Sequence, residues 1–293
     1  MNTLNINCTG CSNILKTTCW ILSVLSWLLF VIVGWISLKW LDDDRILITF
    51  IRPFKKNNLS YMPIQITSTM LFILIIITMI IATIAFIVYM IFSTCKKEGG
   101  FFEKMFDKIT MWHWIPIVLQ AGLFLIGICH DTKHFRDDLI AGIVLVIFTL
   151  ILLVLMYCKT NSGGDFPGIL VKKGVYSALI AIDWYYFCYV ICQLYMDDHP
   201  LKIKDHKNLG ISFDIIMAIL MAIAVYFLKD VLMAIYYILI YLGILIFHYK
   251  IEKNYRKIND IGVVDVILSI IFIIVFLALT VFLIIKKRQE VLN

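Results

Sequence analysis

Long apolar runs separated by short polar clusters are the dominant pattern of this chain. Read in windows of about 20 residues, they predict spans near 19–38, 67–94, 111–130, 138–158, 174–196, 211–228, 230–249 and 262–285. Twenty helical residues cover about 30 Å, the thickness of a hydrocarbon core. The expected fold class is therefore all-α: a polytopic transmembrane helical bundle of about eight spans, with residues 1–293 forming a single transmembrane domain. The sixth and seventh runs meet at Lys229-Asp230. A continuous helix over 211–249 would be roughly 58 Å long, nearly twice a bilayer core. A tight helical hairpin with both charges in the headgroup layer is expected instead, and the count falls to seven if that hairpin is re-entrant. The first run carries Trp20, Trp27 and Trp35 and lacks a small-residue cleavage site. It is also longer than a secretory h-region and reads as a signal anchor.

Composition agrees with this pattern. Hydrophobic residues make up 62% of the chain and charged residues 16%, with a mean hydropathy of +0.94; soluble domains have about 45–50% and 25%. Net charge is +6, but the basic residues sit in short clusters at the ends of apolar runs. That distribution sets membrane orientation and does not build the single solvated face that nucleic acid requires. The expected partners are the lipid bilayer and a membrane protein or second copy of the chain, with no nucleic acid.

The 26 Lys and Arg divide almost evenly between the two sides, so orientation rests on other signals. Asn58-Leu-Ser is a glycosylation sequon in the first loop, making Asn58 a candidate acceptor. Cys95 and Cys158 abut lysines at the ends of runs and are candidate palmitoylation sites. With the terminal Lys286-Lys287-Arg288, these place both termini in the cytoplasm. Cys8 and Cys11 form a CxxC without the second pair or nearby His that a zinc site needs, so no metal is expected.

Candidate chemistry centres on Asp183, a lone carboxylate near the middle of the fifth run, about 14 Å deep. A charge at that depth costs roughly 2.5–3.5 kcal/mol on insertion scales. Tyr176 and Tyr186 fall on its helical face and Gln193 at that face's edge. On the third run His113, Gln120 and Gly127 recur every seven residues, with Pro116 beside them expected to kink the helix by freeing the carbonyl of Trp112. Gln120 is the expected partner of the Asp183 stripe, and Asp183, Gln120, Tyr176, Tyr186, Gln193 and His113 form the candidate substrate-binding set. The competing reading makes Asp183 a hydrogen-bonded group that holds helices together, and His113 part of an interfacial aromatic belt with Trp112 and Trp114. Asp214 and Asp265, each about one turn inside a span, are candidates for an acidic outer rim that attracts cations, or for carboxylates favoured at helix N-termini.

The chain has no P-loop, HExxH, GxSxG or dinucleotide fingerprint, so no cofactor and no catalytic residue are assigned and an enzyme is disfavoured. The first functional expectation is a small channel or transporter for ions or small solutes, with a midplane site around Asp183. The alternative is a non-catalytic scaffold, accessory subunit or modulator of membrane proteins. A third reading, an intramembrane hydrolase using Asp183 and Asp214, must close a difference in depth of roughly 15 Å.

Overall fold

The computed structural model describes residues 13–42, 68–94, 112–129, 135–160, 170–198, 203–254 and 259–292. Asn58, Cys95 and the Cys8-Cys11 pair lie outside the described residues, as does the side chain of Gln193. The described chain is all-helical: α1 (Asn13–Asp42), α2 (Ser68–Thr94), α3 (Trp114–Cys129), α4 (Phe135–Lys159), α5 (Ser177–Asp198), α6 (Ile203–Leu228), α7 (Val231–Asn254) and α8 (Asn259–Leu292). A π-helical segment, Leu170–Tyr176, leads into α5. Seven of these helices are long and apolar enough to cross a membrane, and the protein is an integral, multi-pass membrane protein. The apolar stretch of α3, Trp114–Leu125, is shorter. Any reduction from eight spans to seven thus falls on α3, while 211–228 and 231–248 are both of spanning length.

Because lipid is as apolar as a protein core, burial in such a bundle sorts helices into central and peripheral ones rather than inside from outside. α5 with its π-helical start is the central element: 72% of its spanning window is buried, against 17% for α8. α4, α6 and α7 pack on α5, α2 packs on the π-helical segment, α1 lies against α2 and α3, and α8 rests mainly on α7. Small residues allow the closest approaches. Gly174 faces Ile81 of α2, and Gly142 of α4 lies under the hydroxyl of Tyr186.

The joint between α6 and α7 is a hairpin. Lys229 adopts φ 49°, and the amide of Asp230 donates to the carbonyl of Val225 at 3.4 Å, which closes α6 with a Schellman-type cap. Asp230 then serves as N-cap of α7, its Oδ1 accepting from the amides of Leu232 at 2.9 Å and Met233 at 3.1 Å. One residue pair therefore ends one helix and starts the next. Lys229 is exposed, whereas Asp230 is fully buried against its neighbours.

Helices α7 and α8 run antiparallel in a register set by ring contacts: Tyr237 with Phe276 at 5.4 Å and Tyr241 with Phe272 at 5.1 Å between centroids. The α6–α7 turn lies at one end of the bundle, here called the turn end, together with the close of α4 and the start of the π-helical segment. The end of α5, the start of α6, the end of α7 and the start of α8 lie at the opposite end.

Candidate functional site

Asp183 lies on α5 with 1% of its surface accessible, and Oδ1 accepts a hydrogen bond from Nε2 of Gln120 at 2.9 Å. The structure thus joins the two midplane polar residues expected to meet. Gln120 is six residues into α3, about 9 Å from its start, and its side chain is buried as well. The pair is only half satisfied. Oδ2 of Asp183 and Oε1 of Gln120 are buried with no hydrogen-bond partner among the described residues.

The rest of the expected set disperses. Tyr176 is fully buried in the π-helical segment. The hydroxyl of Tyr186 is directed to Gly142 on α4. His113 is buried in the turn before α3, while its neighbour Trp112 is exposed. Pro116 does not kink α3 as expected. It falls in the first helical turn, where an N–H would have no helical acceptor, and the carbonyl of Trp112 is taken by the amide of Ile115 at 3.1 Å.

Asp214 and Asp265, expected at an exposed rim, are each only 1% accessible. Both carboxylate oxygens of Asp214, and Oδ1 of Asp265, lack partners among the described residues. The hydroxyl of Tyr241 donates to the backbone carbonyl of Asp214 at 3.2 Å. Asp183 is engaged by α3 and Asp214 by α7, and no hydrogen bond joins the two carboxyl groups, which paired-carboxylate catalysis would need. Cys158 is an exposed thiol at the end of α4.

A third polar cluster, at the turn end, does not emerge from the sequence reading. Oδ2 of Asp230 accepts from the hydroxyls of Tyr157 on α4 and Ser177 on α5, both at 2.6 Å. Together with the two capping amides, this gives the carboxylate four donors. Lys172 donates to the carbonyl of Thr160 at 2.8 Å and lies 5.0 Å from the centroid of the Tyr157 ring, a cation–π arrangement. The wider π-helical turn also leaves the carbonyl of Lys172 within 3.3 Å of Ser177 Oγ. The sequence signal for this cluster was a single Asp between two apolar runs, an N-cap pattern. Its two hydroxyl partners lie 73 and 53 residues away and could not be read from it.

Comparison with models of protein families, with curated proteins and with solved structures finds no match. The functional reading therefore rests on the geometry of the buried polar groups.

Proposed function

We propose that this membrane protein is a transporter of ions or small solutes in which Asp183 and Gln120 form a midplane binding site, closed in this conformation. The observation that carries the reading is the pair of unpartnered oxygens, Asp183 Oδ2 and Gln120 Oε1. A buried polar group without a partner costs about 1–3 kcal/mol, so a pair selected to hold helices together is expected to be complete. The molecule contains its own comparison: Asp230, at a junction of three helical segments, accepts four hydrogen bonds. Asp183 keeps an acceptor in reserve, as a substrate or coupling-ion site requires. Its near-complete burial favours a carrier that opens to one side at a time over a permanently open pore.

The test is flux of sodium, potassium and protons into liposomes containing the purified protein, with and without Asp183→Asn. The expected result is flux in the wild type and its loss in a variant that still folds. A second measurement separates transport from helix adhesion. If the pair is adhesive, Asp183→Leu and Gln120→Leu each destabilise the bundle while the double variant recovers, because removing both partners together is nearly neutral. Absence of flux combined with such recovery would refute the proposal.

The alternative reading, a membrane scaffold or accessory subunit, draws on α8. Ile267, Ile274, Val281 and Ile285 project from it with about half or more of each residue accessible. A partner helix or second copy could cover this face. Recovery of one stable complex whose assembly depends on α8 and not on Asp183 would favour it.

A further inference from the structure

We infer that Asp265 and Ser269 of α8 form a binding site for an alkali cation at the opposite end of the bundle, distinct from the Asp183–Gln120 pair. The starting observation is a hydroxyl in an unusual state. On a helix, a Ser or Thr hydroxyl commonly returns to a carbonyl three or four residues earlier. Ser23, Ser37, Thr78, Thr149 and Thr280 do so here at 2.7–2.8 Å. Ser269 does not. It is fully buried, and its Oγ has no partner among the described residues, although the carbonyl of Asp265 is four residues back. The side chain of Asp265 lies one turn away on the same face, 1% accessible and with its own Oδ1 unpartnered.

The α7–α8 register shows what closes this face. Stepping seven residues outward from the Tyr241–Phe272 contact brings His248 level with Asp265, and the same register sets Ile244 level with Ser269. Both α7 residues are buried. Tyr241, in contact with Phe272 of α8, also donates to the backbone carbonyl of Asp214 and so ties α6 to this pair of helices. Asp265 Oδ1 and Ser269 Oγ, one turn apart on α8, thus both keep hydrogen-bonding capacity in reserve. A buried carboxyl oxygen and a buried hydroxyl left without partners are costly unless something occupies them.

The residue set favours an alkali cation over a divalent or transition metal. Among the described residues no three His, Cys, Asp or Glu come close enough to hold a metal ion. Calcium takes six to eight oxygen ligands, often from several carboxylates. One carboxylate and one hydroxyl suit a singly charged ion that keeps part of its coordination from elsewhere. The role as a coupling ion rests on the transport reading, whereas cation binding at Asp265 and Ser269 does not.

The test uses the full chain in nanodiscs at constant ionic strength in sodium, potassium or N-methylglucamine chloride. Thermal unfolding and equilibrium binding of radioactive sodium are the readouts. The expected result is a saturable rise of the unfolding midpoint with sodium or potassium that is absent with N-methylglucamine. Asp265→Asn and Ser269→Ala should each weaken it by about tenfold or more, the loss of one charge-assisted contact. Ser269→Ala removes a single oxygen and keeps the test decisive if the Asp265 variant does not fold. A cation effect that survives Asp183→Asn and is lost in Ser269→Ala belongs to α8, whereas one lost only in Asp183→Asn belongs to the midplane pair and overturns the inference. Equal midpoints in all three salts, or saturable binding unchanged by both α8 variants, would overturn the inference. A midpoint that follows pH and ignores cation identity would assign a proton to the site and overturn it as well.

Discussion

Replacing Asp230 by Ala removes four accepted hydrogen bonds at once, and the expected loss can be assembled from their geometry. The N-cap contacts to Leu232 and Met233 are worth about 1 kcal/mol together. The hydroxyls of Tyr157 and Ser177, each 2.6 Å from Oδ2, would be left as buried donors at about 1–3 kcal/mol each. Both have weaker alternatives: Tyr157 lies 3.4 Å from the carbonyl of Leu228, and Ser177 lies 3.3 Å from that of Lys172. The low end of each range therefore applies, and Asp230→Ala should destabilise the bundle by about 3 kcal/mol. Asp230→Asn keeps a capping oxygen and should lose about half as much. The strongest check is non-additivity. Tyr157→Phe and Ser177→Ala should cost far less in the Asp230→Ala background than in the wild type, since the donors they remove are already stranded. Equilibrium unfolding by SDS titration in mixed micelles, followed by near-ultraviolet circular dichroism, supplies the free energies. An Asp230→Ala protein within about 0.5 kcal/mol of wild type, or full additivity of the three substitutions, would refute the account of this cluster.

Other substitutions test the packing and the hairpin. Lys229→Gly should stabilise the protein by about 0.5–1 kcal/mol in the same titration, because φ 49° strains any residue with a Cβ. A loss of stability would show that the lysine side chain matters more than the turn. A Cβ at Gly142 would lie 3.0 Å from the Tyr186 hydroxyl; Gly142→Val should therefore separate α4 from α5 and lower stability by about 1–3 kcal/mol, whereas a tolerated valine would refute that contact. At Gly174, where a Cβ would come within 3.1 Å of Ile81, Gly174→Leu should be similarly costly, and shortening Ile81 to Ala in that background should recover part of the loss.

The helical framework was legible because apolar run length alone dictates it. The expected boundaries of all eight helices fall within or near the observed ones, and the Lys229-Asp230 break separates two helices as the 58 Å argument requires. The meeting of Gln120 with Asp183 was also readable, since midplane polar groups on two spans have few partners other than each other. Helical periodicity does not say which neighbour a face meets, and this is where the reading failed. Tyr186 shares the side of α5 expected for Asp183, yet its hydroxyl is directed to α4 at Gly142. Pro116 was read as a kink because the start of α3 was placed three residues too early. That error moved the proline from the first turn, which tolerates it, to the interior, which does not. Two tyrosines of α7 carry polar contacts across helices that the apolar pattern of the run does not announce. Tyr236 lies 3.1 Å from Thr78 on α2, and Tyr241 donates to α6. Sequence composition alone cannot distinguish an aromatic ring that fills space from one whose hydroxyl completes a distant backbone group.

Four buried aspartates give this bundle its internal logic, and they divide by the state of their oxygens rather than by depth. Asp230 is saturated, and its donors tie α4, α5 and α7 together at the turn end. Asp183 is half engaged, and Asp214 and Asp265 hold open acceptors on the α6–α7–α8 side. Burial alone would class all four alike, since each is at most 1% accessible. The energetic cost is not alike. A carboxylate that accepts four hydrogen bonds offsets much of its desolvation, whereas one with empty lone pairs does not. A fold could remove that expense by replacing each open carboxylate with an apolar side chain of similar volume, often at no loss of stability. Three such open carboxyl groups in a chain otherwise so apolar are the feature that the proposed binding sites would account for. The reasoning predicts an asymmetry: substitution at Asp230 should damage folding, while conservative substitution at Asp183 or Asp265 should damage occupancy and leave the fold in place.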